Sequence, residues 1–347
     1  MTTLSTPIAA LNSGPDYHLL DHIAPLAAQL QIPLIVTEEL NFQLAKTYYP
    51  HVHVEFVEDL EFKLESLTRF DALIECKYWA PHLKSLFSRL YKKKMDLIFC
   101  PHGQSDKGFA TPLLSPYATQ DAVLLYGDLQ IEMLKKLQIW PAIERFARVG
   151  DYRAAHYRQF KLFYDACAQN EIFSRLPSNR PTLLYAPTWQ DADRSTSFFD
   201  RGTSLLSQLP SDWNLIVKIH PLLKQRDPAR YESIVGHLDD RPNALLIDAF
   251  PPIHPILERC DAYLGDFSSI GYDFLPYKRP MFFFSHPTLF KGMLHGCGLT
   301  LDPHAPIFPF IEKHLVPAYA EKQERLYRHA YGAPQNIREK IEQLFAT

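Results

Sequence analysis

Short apolar runs alternate along this chain with longer stretches whose apolar positions recur at helical spacing. That alternation predicts βαβ units and parallel sheets. In the first half the runs Ile8–Leu11, Pro33–Thr37, His53–Val57, Ala72–Cys76, Leu97–Cys100, Val123–Tyr126 and Ala147–Val149 read as strands. Helical patterns such as Tyr17–Leu30 and Asp128–Leu137 lie between them. The second half restarts with Thr182–Ala186, Leu215–Ile219, Ala244–Ile247, Ala262–Leu264 and Pro280–Phe284. Residues 151–176 read as one helix, followed by the polar linker Pro177–Pro181, and 318–347 as a helical tail broken at Gly332–Pro334. The expected organisation is an N-terminal Rossmann-like domain over 1–176, a second over 177–317, and a tail over 318–347. Two doubly wound α/β domains in tandem are expected to face a central cleft, with chemistry on the loops just after the strands.

Composition narrows the class. A chain of 347 residues supports two cores, and 46% hydrophobic with 22% charged residues is the balance of a soluble globular enzyme. A formal net charge of −3 argues against general nucleic-acid binding. The five cysteines form no CxxC pair, which suits reduced thiols in a cytosolic protein. The first residues lack the basic and apolar regions of a signal peptide, and no run approaches the roughly 20 apolar residues that span a bilayer. The expectation is a cytoplasmic protein whose membrane contact is at most peripheral, on the inner face of the cell membrane. The chain has no solenoid repeat, no dinucleotide-binding glycine fingerprint, no Walker A loop and no GxSxG elbow.

The polar motifs sit at predicted strand ends. After Leu184–Ala186 come Pro187, Thr188 and Trp189, a hydroxyl to meet a phosphate oxygen and an indole to wall a base. The same residues would also serve a strand-terminating turn. The strand ending at Ile219 delivers His220, and Pro221 stops it; an imidazole there can donate to a transferring phosphoryl group. The block Asp261–Phe274 runs a strand into Asp266 and opens a helix with Ser268 and Ser269, whose hydroxyls and free amides form an anion site. Asp273, one turn further on, is placed to take a ribose hydroxyl. In the first half, Pro101–Gly108 follows a buried strand. There His102 is placed as a general base on an acceptor hydroxyl, Gly103 lets a substrate approach the backbone, and Lys107 adds a mobile positive charge. Ser13 and Gly14 form a weaker acceptor-side candidate, since Ser-Gly is also a common turn.

These motifs resemble the CDP-glycerol glycerophosphotransferases, which build teichoic-acid-like polymers. The resemblance is carried by Tyr185–Trp189, Lys218–Pro221, Asp261–Phe274 followed by Lys278–Phe284, and Pro101–Gly103. It implies a GT-B fold, and transfer of glycerol phosphate or a related polyol phosphate from a CDP-activated donor to a hydroxyl on a lipid-linked or polymeric acceptor, releasing CMP. It further implies that His102 activates the acceptor hydroxyl, that His220 stabilises the donor phosphate, and that Ser268 and Ser269 bind the pyrophosphate, with Thr188 and Asp273 as further donor contacts. No resident cofactor is expected, the CDP-activated donor being a substrate, and no metal-binding residues are assigned. The chain departs from the family after Phe284, where Ser285–Cys297 replaces an acidic, tyrosine-rich stretch ending in Arg-Gly. It also reads Gln104–Lys107 where the family more often has Thr-Pro-Leu-Lys. It lacks the long N-terminal extensions of polymerising members, which favours a single, primer-like transfer.

Residues 77–94 carry six Lys or Arg and no acid, with Trp79, Leu83, Leu86, Phe87 and Leu90 at helical spacing. This is either a Rossmann helix packed on its sheet or a basic face for anionic lipid. His51 and His53 suggest no third metal ligand, so no structural zinc is expected. Competing readings are a GT-B nucleotide-sugar glycosyltransferase, a nucleotide-sugar 2-epimerase, and a binding module that has lost turnover.

Overall fold

The computed structural model describes residues 4–60, 63–77, 81–107, 112–190, 196–238, 241–285, 293–302 and 304–346. The chain forms two compact units: residues 1–104, 108–159 and 329–347 make the first, and 105–107 with 160–328 make the second.

The first unit holds a parallel sheet of seven strands: β1 (Ile8–Asn12), β2 (Leu34–Val36), β3 (Val54–Phe56), β4 (Ala72–Glu75), β5 (Asp96–Phe99), β6 (Ala122–Leu125) and β7 (Phe146–Arg148), in the order β3-β2-β1-β4-β5-β6-β7. The second holds six: β8 (Thr182–Ala186), β9 (Asn214–Lys218), β10 (Ala244–Ile247), β11 (Ala262–Gly265), β12 (Met281–Phe284) and β13 (Leu299–Leu301), in the order β10-β9-β8-β11-β12-β13. Every pairing is parallel, as in Ile8↔Ala72 and Ala262↔Leu183. Central strands such as β1, β4, β8 and β11 are buried along their whole length. That is why they read as unbroken apolar runs rather than alternating ones. In each sheet the order reverses beside the unit's first strand, between β1 and β4 and between β8 and β11. A doubly wound sheet binds its ligands at such a reversal. Two doubly wound α/β domains, the expected fold class, are present.

Three observed features were not in the sequence pattern. Residues 151–176 form two helices, Tyr152–Gln159 and Lys161–Glu171, with a turn at Phe173–Arg175. The first helix is tied to the first unit through Arg153 and Asp21. The second is tied to the second unit, where Lys161 meets Glu258 at 2.6 Å and the Arg259 guanidinium lies 3.7 Å from the Phe173 ring centroid. The chain therefore changes units at residue 160, before the polar linker. The tail breaks at Gly332 (φ +70°), where the sequence pattern breaks it, between helices Ala320–Tyr331 and Ile337–Gln343; the unforeseen feature is that its two parts serve different units. Gln323 donates to the carbonyls of Arg279 (2.9 Å) and Cys297 (3.0 Å) in the second unit. From His329 onward the residues serve the first unit, where Arg338 donates to Leu30 O at 2.7 Å. Strand β13 is the third feature: only three residues long, it is half-exposed at two of them.

Candidate functional site

In the first unit the sheet reversal is framed by the ends of β1 and β4, with the end of β5 next to β4. The Ser13 hydroxyl donates to the Glu75 carboxylate, which is buried at the end of β4. Lys77 donates to Ser13 O at 2.7 Å and pairs with Asp16 at 2.6 Å. Gly14 has φ +70°, its N–H donates to Thr37 Oγ1, and its carbonyl accepts from Asn41, both at 2.8 Å. The Ser13–Gly14 turn is thus pinned from several directions, and the serine hydroxyl is committed to Glu75.

His102 follows β5 on the next loop. Its Nδ1 lies 3.2 Å from the carbonyl of Cys76. A carbonyl only accepts, so Nδ1 carries the proton and Nε2 keeps a free lone pair. The side chain is open to solvent, yet enough protein surrounds it that desolvation lowers its pKa from 6.5, against the raising effects of the Cys76 carbonyl and the Asp16 charge. A neutral imidazole with Nε2 unprotonated is what a general base needs. Beside it Gly103 takes φ +121°, a region L-residues rarely enter. The buried Tyr126 phenol accepts from Gly103 N–H at 3.0 Å and donates to Pro101 O at 2.8 Å, bracing the turn.

In the second unit the reversal is organised by Asp266, the residue after β11. It is 2% exposed and accepts from Thr188 N (2.8 Å), Ser197 N (2.7 Å) and Ser197 Oγ (2.8 Å). One carboxylate therefore ties the loop after β8 to the loop after β11. Burial raises its pKa, while these hydrogen bonds and the Lys107 charge lower it. Tyr185 extends the network to Ser197 Oγ at 2.9 Å.

His220 follows β9 and caps the helix Pro221–Arg226, its Nδ1 accepting from Leu222 N–H at 3.3 Å. An accepting Nδ1 puts the proton of the neutral ring on Nε2. The two strand-end histidines thus hold opposite tautomers, one with an accepting Nε2 and one with a donating Nε2. The His220 ring lies 6.4 Å from that of Trp189. Lys107 Nζ and the Arg226 guanidinium each sit 4.7 Å from the Trp189 ring centroid.

Ser268 is 7% exposed and its Oγ accepts weakly from Ile270 N–H at 3.4 Å. Ser269 caps the short helix Ile270–Phe274 through its backbone, without a side-chain bond. Asp273, expected as a ribose contact, is 2% exposed within the second unit, as buried as Thr188 and Ser268. Lys107, expected on the acceptor side, belongs instead to the second unit, where it lies against Trp189. The structure thus brings Thr188, Trp189, Lys107 and His220 together around Asp266 and the serine turn. It places Ser13, Gly14, His102 and Gly103 in the first unit.

Sequence reading missed the Cys76 carbonyl, Tyr126 and the organising role of Asp266. An acid directly after a fully buried strand was the available signal for the last of these; the other two leave none. Among the described residues no group of three or more His, Cys, Asp or Glu is placed to hold a metal, and no helix is long and apolar enough to cross a membrane. The basic helix Pro81–Tyr91 packs Phe87 into the first core, and Lys84 pairs with Asp121. Trp79 and residues 286–292 lie outside the described residues.

Comparison with known proteins bears on the second unit most directly. Residues 161–288 match the family model described as CDP-glycerol:poly(glycerophosphate) glycerophosphotransferase. A teichoic acid poly(glycerol phosphate) polymerase of Staphylococcus epidermidis is 25% identical over 122 residues, 32% of this chain and 15% of that protein. A teichoic acid glycerol-phosphate primase of Bacillus subtilis is 28% identical over 105 residues, 30% of this chain and 25% of that protein. The matched stretch thus spans a quarter or less of either relative. Among solved structures, the wall teichoic acid polymerase TagF superposes over 97% of this chain and 88% of its own with a TM-score of 0.62 at 15% identity. A UDP-GlcNAc 2-epimerase from Neisseria meningitidis does so over 98% and 100% with a TM-score of 0.58 at 13% identity. At such identities these likenesses show the fold alone, that of two parallel-sheet α/β domains of the GT-B type. Residues 161–288, which contain β8 to β12 and the Asp266 network, are thus the part of the chain that is similar to the CDP-glycerol:poly(glycerophosphate) glycerophosphotransferase family.

Proposed function

We propose that this protein transfers glycerol phosphate, or a related polyol phosphate, from a CDP-activated donor to a hydroxyl of a lipid-linked or polymeric acceptor. The observation that carries the reading is the pair of opposite histidine tautomers. The acceptor oxygen attacks the phosphorus bearing the polyol, in line with the bond to CMP. His102 Nε2 takes the hydroxyl proton as the new P–O bond forms, and the old P–O bond breaks to release CMP. His220 Nε2–H donates to the phosphoryl oxygen as charge builds there. Thr188, Ser268 and Ser269 serve the donor phosphates beside Trp189, and Gly103 and the Ser13–Gly14 turn line the acceptor side. The donor is a substrate, and the reading invokes no resident cofactor.

The lipid-linked acceptor places the enzyme in the cytoplasm at the inner face of the membrane, with the exposed Lys94 end of the basic segment toward anionic lipid. Flotation with anionic vesicles checks this, and protein remaining in the soluble fraction counts against it. The chemistry is tested by incubating the protein with CDP-glycerol, CDP-ribitol and UDP-sugars together with a polyol-phosphate acceptor. CMP release from a CDP-polyol is expected. Release of UDP alone would assign the site to nucleotide-sugar chemistry instead.

A further inference from the structure

Residues 105–107 form a strap fastened to the second unit at each position. Ser105 Oγ accepts from Lys107 N–H at 3.1 Å and donates to Phe267 O at 3.3 Å. Asp106 is 6% exposed; it accepts from the Tyr272 phenol at 2.6 Å and from Leu294 N–H at 3.0 Å, and Met293 N–H is also bonded to it. Lys107 Nζ stands over the Trp189 ring, 3.5 Å from Trp189 O, close enough to Asp266 for its charge to be felt there. Burying a carboxylate costs free energy that hydrogen bonds must offset. Here those bonds come from a phenol and two backbone amides, which fix direction rather than neutralise charge. What they fix is the backbone immediately before the one ammonium group on the strap.

We propose that Asp106 is the positioning residue for Lys107, holding its ammonium at Trp189 to meet a phosphate-type anion brought to the loops after β8 and β11. The inference rests on the donor reading above for the identity of that anion as a CDP-linked pyrophosphate. A lysine on an unanchored loop would spread its charge over many rotamers, whereas a strap bonded at all three residues concentrates it at one place.

Calorimetric titration of the full chain with CDP, and separately with inorganic pyrophosphate, tests it. Lys107→Ala is expected to weaken both by about tenfold, the loss of one charge-assisted contact. Asp106→Leu should weaken both to the same degree, and the double variant should bind no worse than Lys107→Ala alone. Asp106→Asn should recover affinity to within about threefold, because its amide can still accept from Leu294 N–H and donate to the Tyr272 oxygen. Tyr272→Phe, which removes one anchor and keeps the ring, should fall between these limits. Additive losses in the double variant, or an Asp106→Asn protein as weak as Asp106→Leu, overturn the proposal. Wild-type protein that binds pyrophosphate but not CDP sinks the cytidylyl reading and leaves the strap standing; protein that binds neither sinks both.

Discussion

The two strand-end histidines differ in what their Nδ1 atoms face, and that decides their chemistry. His102 faces the Cys76 carbonyl and must donate; His220 faces the Leu222 amide and must accept. For His102, desolvation lowers the pKa below 6.5, so the base is unprotonated through neutral pH. The acid limb of kcat/KM is therefore expected to fall with a midpoint below 6.5, and His102→Ala should cost about 10²–10⁴ in kcat. A midpoint above 6.5 in wild type would assign the base elsewhere. A third histidine bears on stability rather than chemistry. His156 is 2% exposed, its Nε2 lies 3.2 Å from that of His51, and desolvation followed by the His51 charge lowers its pKa to about 3. Between pH 6.5 and 3 the unfolded chain binds a proton that the folded chain does not, so stability rises with pH across this window and is lost on acidification. The expected slope is about 1.4 kcal/mol per pH unit from this residue. Urea unfolding at several pH values should show it in wild type, and His156→Leu should remove it.

Loops at strand ends are organised by single buried carboxylates, and Asp266 is the clearest case. Removing it in Asp266→Ala leaves two amides and a hydroxyl without their acceptor. Each unsatisfied buried donor costs about 1–3 kcal/mol, so a loss of roughly 2–5 kcal/mol is expected in chemical denaturation, together with weaker donor binding. A change below about 1 kcal/mol would mean the two loops are held by something else. The strands behind these loops were legible because a parallel strand buried on both faces is an unbroken apolar run. Thr182–Ala186 and Ala244–Ile247 match their predicted limits, and the other predicted strands differ only at their ends. Strand β13 was not legible, since Leu299–Leu301 has no apolar run to mark it. Nor was the break at Phe160, because helical periodicity continues through it and only the tertiary partners of the two helices differ. The site was legible to the same depth. Strand ends marked where His102, His220 and Thr188 sit, while the burial of Asp273 was not legible, because a four-residue spacing says nothing about which face of a short helix is covered.

The C-terminal residues complete the first unit although almost the whole of the second separates them from it in sequence. Ala330, Tyr331, Ile337, Ile341 and Leu344 are all buried, and Arg145 and Arg338 donate to carbonyls that join the tail to the first sheet and its helices. The backbone at Ala330 comes so close to Gly127 that a Cβ there would lie 2.5 Å from its carbonyl oxygen. Burying each large aliphatic side chain is worth about 1.5–3 kcal/mol, so the Ile337, Ile341 and Leu344 contacts together rival the 5–15 kcal/mol that holds a whole domain. The second unit keeps its own core, built on β8, β9, β11 and β12, and its packing ends with Arg328. A chain stopped after Arg328 is therefore expected to lose the first unit selectively. Limited proteolysis with fragments identified by mass should show rapid cleavage within 1–159 while 160–328 stays protected. Equal protection of both would mean the first core closes without its tail. Equal loss of both would mean the two sheets unfold as one, and that the division of the chain into two stable units does not hold in solution.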